Sequence, residues 1–512
     1  MYRDLPILEW GPVSMGVMRF AIDQPALTAD WPELYRGFLS GFDQSIWTTK
    51  VERSDSIVTC RRSTSDSARF HVAWPVAGFG RPMVSTASLP EREEPYVLVV
   101  ELARGKIVQL RNQLAFWQWS GMQIPDEVAP LQRSAQRLLA QAVARQSELP
   151  TASTLAQQAL EQAFQAADLL TRAYVRQRLS VRHAQYPQLP TVLGCSLGDT
   201  LLPPEQEQLF AAMFSGAGIP VQWRLIEPRE GEYRWDVSDH QVEWALQHRL
   251  LIRGGPLLDL GPGGLPAWLA NWSHDLWNLQ SFVCDFVETA LSRYLGKIRI
   301  WELAARANTG GALELPEDAR LTLVAKILEA ARRVDEDGQF LLRIDQPWGD
   351  YQVEGRHRLS PLQFADALLR AGISVSAINL EIAVGFHPTG SPSRDLLDFS
   401  RLIDTWSALG IPLQVTLAFP STTGPDAQLT LSGEVENRSW REPVSELSQS
   451  EWLEEHVSLL LAKPGVVAVF WNHLSDAQPH RYPHAGLINP EGRTKAALEA
   501  ITRLRHVHWP RT

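Results

Sequence analysis

From about residue 190 onward, short apolar runs alternate with longer segments whose apolar positions recur every three to four residues. The apolar runs are TVLGCSLGD (191–199), IPVQWRLIEP (219–228), LLIRGGPLLDL (250–260), KIRIWELAARAN (297–308), QFLLRIDQPWGDY (339–351), SVSAINLEIAVGFHP (374–388), IPLQVTLAFPS (411–421) and GVVAVFWNHLSD (465–476). Between them lie amphipathic stretches such as SFVCDFVETALSRYLG (281–296), EDARLTLVAKILEAARRV (317–334) and PLQFADALLRAG (361–372). Mostly apolar strands separated by helices belong to a parallel sheet covered on both faces. Eight such units in roughly 310 residues predict a (β/α)8 barrel over 189–512, a fold of typically ~250 residues plus insertions. Such barrels carry their chemistry at the C-terminal strand ends. Those ends hold Arg224, Glu227, Asp259, Arg306, Asn308, Asp345, Trp348, Glu381, His387, Thr416, Trp471, His473 and Asp476.

The first part of the chain has a different rhythm. VMRFAI, SIVTCRR, ARFHVAWPV and YVLVVELA are rich in β-branched and aromatic residues and are separated by turn clusters, so 1–122 reads as a β-rich, sandwich-like domain. The run IVQLRNQLAFWQW fits a last strand or the start of a helix equally well. Residues 123–188 turn rich in Ala, Gln, Leu and Arg. Leu155, Ala159, Ala163, Ala166 and Leu170 share one helical stripe, and Pro150 separates two helices. This stretch is expected to be a helical hairpin joining the two domains.

Composition narrows the function. Apolar residues make up 45% and charged residues 21%, as in a globular protein. The net charge of −10 disfavours a nucleic-acid coat, which needs concentrated positive charge. No apolar run approaches the ~18 residues of a membrane span, so no membrane partner is expected. The opening MYRDLPILEWGPVSMG has no signal-peptide core, which predicts a cytoplasmic location. Cys60, Cys195 and Cys284 lie far apart, without metal spacing. His387, His473, His480 and His484 also lack a metal-site spacing, and the glycine-rich stretches match no phosphate loop. No metal and no cofactor are expected. The unusual count is 19 Trp; indole faces fill cores and also pack on sugar rings.

Several segments together resemble glycoside hydrolase family 10, the xylanase-like retaining (β/α)8 enzymes. EPREGEYRWD (227–236), preceded by Trp223, is similar to the family's second-strand signature. LPAWL (265–269), YLGKIRIWEL (294–303), FWNHLSD (470–476) and HAGLINPEGRTKAALEAI (484–501) follow in the family's order. The resemblance covers about residues 190–505 and implies a (β/α)8 fold, a saccharide or glycoside ligand, and O-glycosyl hydrolysis by two glutamates. This chain departs from the pattern at both. Where the family has W-D/E-x-x-N-E, Trp301-Glu302-Leu303-Ala304-Ala305-Arg306 puts Arg306 at the acid/base position. Where it has T-E-L-D, Thr416-Leu417-Ala418-Phe419 puts Leu417 at the nucleophile position. Glu381 and Ala383 stand for the sixth-strand Gln and His, Gly255 for the third-strand His, and Gln222 for the second-strand Lys. An arginine with a pKa above 12 donates no proton near neutrality, and leucine forms no glycosyl ester.

The surviving acids are Glu381 and Asp259. Glu381 reads either as a pocket carboxylate or as the partner of an arginine such as Arg306 or Arg343. Asp259 reads as a ligand for sugar hydroxyls or as the cap of the Gly261–Gly264 turn. Together they would suit an inverting pair if 6.5–9.5 Å apart, by the general rule for such enzymes. Asp345, two residues after Arg343 on the same strand face, is expected to pair with it or to meet substrate. Trp471 and Trp348 are candidate sugar platforms, with Arg306 and His473 beside them. By analogy with sandwiches that precede xylanase-like barrels, the N-terminal domain, with Trp31, Trp47, Trp74, Trp117 and Trp119, reads either as carbohydrate-binding or as a structural cap on the barrel. Three functions follow: a saccharide-binding relative that has lost the standard retaining mechanism, a divergent glycosidase using other carboxylates, or a scaffold.

Overall fold

A computed structural model describes residues 16–23, 31–437, 440–441 and 443–510. All but the last residue of the opening segment MYRDLPILEWGPVSMG, on which the leader expectation rests, lies outside the described residues. Internal contacts divide the chain into two units. One comprises Met1–Val76, Met83–Leu170 and Gln352–Arg356; the other comprises Ala77–Pro82, Thr171–Tyr351 and His357–Thr512.

The larger unit is a closed barrel of eight parallel strands. They are β1 (Val192–Ser196), β2 (Gly216–Ile219), β3 (Leu251–Gly254), β4 (Ile300–Ala305), β5 (Gln339–Asp345), β6 (Ala377–Ala383), β7 (Leu413–Ala418) and β8 (Val466–Trp471). Each pairs with the next, and β8 returns to β1 with Val469 opposite Leu193. The predicted fold is therefore present. After β3 the chain breaks at Gly255, whose φ is +107°, and resumes pairing at Leu258–Asp259. A Cβ on Gly255 would lie 2.3 Å from the Glu302 carbonyl oxygen, so only glycine fits this approach.

The second strand differs from expectation. It is Gly216–Ile219, upstream of most of the 219–228 run, and Trp223–Ile226 forms a single helical turn. Pro220 has no N–H for a ladder and helps to end the strand. The apolar weight of the predicted run comes from packing outside the sheet, where Trp223 stacks on Phe286 at 5.0 Å between ring centres. The true strand is small because of what fills the barrel. Phe470 of β8 occupies its base, and a Cβ on Gly194 or Gly216 would meet that ring at 2.5 or 3.2 Å.

Above Phe470 the interior is polar and charged, rather than filled with the branched aliphatics common in this fold. The Arg253 guanidinium lies 3.7 Å from the Phe470 ring centre, a cation–π contact. Glu302, fully buried, forms an ion pair with Arg343 Nε at 2.6 Å and accepts a hydrogen bond from Asn379 Nδ2 at 2.7 Å. Thr416 Oγ1 donates to Asn379 Oδ1 at 3.0 Å.

In the smaller unit, two four-stranded sheets form. One contains Gly16–Ala21, Lys50–Ser54, Ile57–Arg62 and Tyr96–Val97; the other contains Phe38–Ser40, Ile46–Trp47, Arg69–Ala73 and Met83–Ser85. Phe20 of the first stacks on Phe70 of the second at 4.9 Å. The expected strand YVLVVELA is mostly helical: only Tyr96–Val97 pairs, and Leu98–Trp119 is one helix that also takes up IVQLRNQLAFWQW. Leu, Glu, Arg, Lys and Gln favour that helix, and buried Leu98, Leu102, Ile107 and Leu110 supply its stripe. Helices Val128–Ala144 and Leu149–Gln185 follow. Pro150 sits in the first turn of the second, where its missing N–H costs no helical bond. Trp31, Trp74 and Trp117 are buried, while Trp119 is 85% exposed.

Phe470→Ala removes the plug that the two glycines accommodate. It is expected to lower unfolding free energy by about 3–5 kcal/mol, read as a lower urea midpoint at unchanged slope.

Candidate functional site

At the C-terminal mouth of the barrel lies a cavity of about 260 Å³. Five arginines line it (Arg224, Arg253, Arg306, Arg343 and Arg481), against three carboxylates (Asp199, Asp259 and Glu381). Ser196, Gln222, Thr416, Thr430, Asn472, His473 and His480 add neutral hydrogen-bonding groups to the wall.

Arg306 is the centre of this arrangement. It follows β4 with φ of +56°, a left-handed conformation uncommon for a residue with a Cβ. Its Nε donates to Asp259 Oδ1 at 2.9 Å and its Nη2 to Asp259 Oδ2. Its Nη1 donates to Glu381 Oε2 at 2.5 Å. The expected Arg306–Glu381 pair is thus formed, and Asp259 joins it as a two-pronged partner. Asp259 Oδ1 also accepts from the Gly261 N–H at 3.0 Å, so the turn-capping role is filled as well. Glu381 Oε1 accepts from Arg343 Nη1 at 3.2 Å.

These contacts set the protonation states. Burial alone would raise the Asp259 pKa, but Arg306 and the Gly261 N–H bring it down to about 2. Burial acts the same way on Glu381, and Arg306 and Arg343 hold it below the ordinary glutamate value. Both carboxylates touch one guanidinium, so their nearest oxygens are separated by at most two hydrogen bonds and its width, roughly 7 Å. The spacing is compatible with a carboxylate pair, but neither member is free to carry a proton.

Asp345 behaves differently. Arg343 pairs with Glu302 and Glu381 rather than with Asp345, because carboxylates of the two flanking strands take its Nε and Nη1. Asp345 is 2% exposed. Among the described residues its Oδ1 has no well-formed hydrogen bond, its Oδ2 accepts from the Thr309 hydroxyl at 3.5 Å, and the Gln346 N–H gives the carboxylate weak support. Burial and the neighbouring Glu381 charge push its pKa up to about 7, against the pull of Arg481 and Arg306. It does not line the cavity.

Both indoles proposed as sugar platforms also lie away from the cavity wall. Trp471 is 3% exposed; its indole N–H donates to the Ala485 carbonyl at 2.7 Å and its ring edge-packs on Trp452. Trp348 packs on Phe399 beneath the Arg394 guanidinium. Leu417 is fully buried in the layer between strands and helices, whereas Thr416, one residue earlier, faces inward toward Arg253 and Asn379. No residue of β7 carries a carboxylate.

His473 does line the cavity. Its ring stacks on His480 at 4.5 Å, and its Nε2 lies 3.1 Å from Asp476 Oδ1. The ligand atoms of His473, Asp476 and His480 fall within 4.8 Å of one another, a grouping that the spacing alone did not suggest. Each is already engaged: Asp476 by Lys495 and the Gly486 N–H, His480 by Asp426 and the Gln478 carbonyl, His473 by Asn472. Parallel, stacked imidazoles do not converge on one ion. Burial pushes His473 down to about 4. His480 is raised despite its burial, because Asp426, itself held at about 2, faces it.

Arg253 and Arg481 were not among the sequence candidates. Arg253 had a readable signal, a charged residue inside the apolar run LLIRGG, which marks an inward position. Arg481 lies in the loop after β8, where no pattern points to it. Among the described residues no helix is long and apolar enough to cross a membrane.

Comparisons with known proteins agree with the resemblance. The family model Glycosyl hydrolase family 10 matches residues 206–310. Endo-1,4-beta-xylanase B of Thermotoga neapolitana is 21% identical over 207 residues, 39% of this chain and 56% of that one. Endo-1,4-beta-xylanase 3 of Hypocrea jecorina is 29% identical over 126 residues, 24% of this chain and 35% of that one. The matched region thus spans about half or less of these relatives. A solved family 10 structure from Paenibacillus barcinonensis is 17% identical with a TM-score of 0.48, covering 63% of this chain and 97% of the other. Xylanase 10B of Thermotoga petrophila, solved with xylobiose, is 15% identical with a TM-score of 0.46, covering 65% and 96%. The chain is family 10-like in sequence, and the barrel topology stands on its own strand order.

Removing Arg306 leaves two buried carboxylates uncompensated. Arg306→Met is expected to destabilise by about 3–5 kcal/mol, and adding Asp259→Asn and Glu381→Gln should recover much of that loss in urea titrations. Asp345 gives a pH signature. Its folded pKa lies above the unfolded value, so between about pH 4 and 7 the folded state holds a proton that the unfolded state has lost, and stability falls as pH rises. Asp345→Asn should therefore raise Tm more at pH 8 than at pH 5; an equal shift at both would show that Asp345 does not titrate in this range.

Proposed function

We propose that the barrel mouth binds a saccharide and that the standard retaining hydrolysis of family 10 does not operate in it. The observation that carries this reading is the double capture of Arg306 by Asp259 and Glu381. Retaining hydrolysis needs one carboxyl group that can hold a proton and a second, unencumbered carboxylate ~5–5.5 Å away. Here Asp259 and Glu381 are both held in their charged form by Arg306, the third wall carboxylate, Asp199, is paired with Arg224, and an arginine stands where the acid/base is expected.

Saccharide binding is supported by the family 10-like sequence and by the wall itself. Gln222, Thr430, Asn472 and His473 offer neutral donors and acceptors, the groups that pair with sugar hydroxyls. A sugar held by them is held by hydrogen bonds, with Trp471 and Trp348 packing behind the site. The reading extends to Arg306, His473 and Glu381 as contacts of the ligand and does not require metal or cofactor.

A divergent glycosidase has one specific observation in its favour: Asp345 is a carboxyl group poised near neutrality. Its burial behind the wall separates it from a ligand in the cavity. A screen of oligosaccharides and aryl glycosides with the purified chain decides between the two. Expected is saturable binding of an oligosaccharide with no product released. Turnover by the unmodified chain would overturn the proposal; its loss in Glu381→Gln would then name the acid, and its survival there with loss in Asp345→Asn would name the other.

A further inference from the structure

We infer that the mouth takes an acidic saccharide, a glycan bearing a carboxylate such as a uronic acid, and that Arg481 receives that carboxylate; the inference rests on the saccharide reading above. The charges of the interior balance almost completely. Arg253, Arg306 and Arg343 face Asp259, Glu302 and Glu381, and on the rim Arg224 pairs with Asp199 at 2.6 Å. Arg481 is left over. It lines the cavity, yet makes no ion pair or hydrogen bond among the described residues, and its Nε is buried without a partner.

The nearby acids do not neutralise it. Asp259 and Glu381 are engaged by Arg306, and Asp345, whose pKa lies near 7, is largely uncharged in slightly acidic solution. The chain as a whole carries −10, so a cationic mouth runs against its general charge. A half-buried guanidinium whose Nε–H is buried without a partner matches a carboxylate, which can accept from that N–H and a neighbouring Nη together. The neutral groups around it suit a polyhydroxylated ligand better than a bare anion.

The test is calorimetric titration of the full chain at pH 6 with a xylo-oligosaccharide carrying one glucuronic acid, with its carboxyl-reduced counterpart, and with inorganic phosphate. The acidic sugar is expected to bind about tenfold or more tightly than the reduced one, with an affinity that falls as salt rises. Arg481→Met should bring the acidic sugar to the level of the reduced one without changing the latter. Because Arg481 makes no ion pair or hydrogen bond among the described residues and only a distant contact with the Tyr482 ring, the melting temperature of Arg481→Met should stay near that of the unmodified chain, which separates lost binding from lost folding. Equal affinity for the two sugars, or a preference that survives Arg481→Met, overturns the inference and leaves saccharide binding intact. Failure of both sugars to bind overturns both readings, and phosphate binding alone replaces them with a simple anion site.

Discussion

A buried guanidinium held by two carboxylates is the constraint on which the barrel interior turns. Arg306 cannot be stable there without Asp259 and Glu381, because an ion removed from water costs several kcal/mol unless its partners are present and well oriented. Nor can the carboxylates persist without it. The dependence spreads: Glu381 also takes Arg343, Arg343 takes Glu302, and Glu302 takes Asn379 and faces Arg253. The barrel is closed at its base by Phe470 and held through its middle by a network in which each member needs the next. Such networks fix geometry more than they add stability, and the left-handed backbone at Arg306 shows how strictly this one is enforced.

The same constraint bears on chemistry. A hydrolytic carboxyl pair works when the surroundings push its two pKa values apart, leaving one group protonated and the other charged. An arginine placed between two acids does the reverse, pulling both down together. Asp259 and Glu381 are therefore suited to holding Arg306 rigid and to accepting hydrogen bonds from a ligand. The arginine at 306 is thus more than one added charge, since it changes what Asp259 and Glu381 can do.

Much of this was legible in the sequence, for reasons of periodicity. Seven of the eight expected apolar runs contain their strand, since residues in a parallel sheet buried on both faces announce themselves. The exception, Gly216–Ile219, is made of small residues that give way to Phe470, a demand from across the barrel that no local pattern carries. The Arg306–Glu381 pair was foreseeable from charged residues embedded in apolar strands. Its third member, Asp259, needed the fold to bring β3 beside β4. Inside against outside was harder. Strand alternation places Thr416 inward and Leu417 outward, but a motif match fixes register only to within a residue. Trp471 sits at a strand end, as read, yet its indole is turned to the Ala485 carbonyl in a loop that local sequence does not position.

Among the described residues Asp345 and Arg481 are left without an ion-pair partner beside this network, and their separation decides the character of the mouth. Had Asp345 reached Arg481, the cavity would carry matched charges throughout. Instead Asp345 lies behind the wall, in line with Glu381 on the neighbouring strand, where burial and a like charge favour its neutral form. Arg481 comes from the loop after β8 and stands on the wall itself. The carboxyl group hidden from solvent is the one that can shed its charge, and the guanidinium in the cavity is the one that cannot. Electrostatics and burial thus sort the two groups in the same direction, leaving Arg481 as the arginine of the cavity wall that has no carboxylate partner among the described residues.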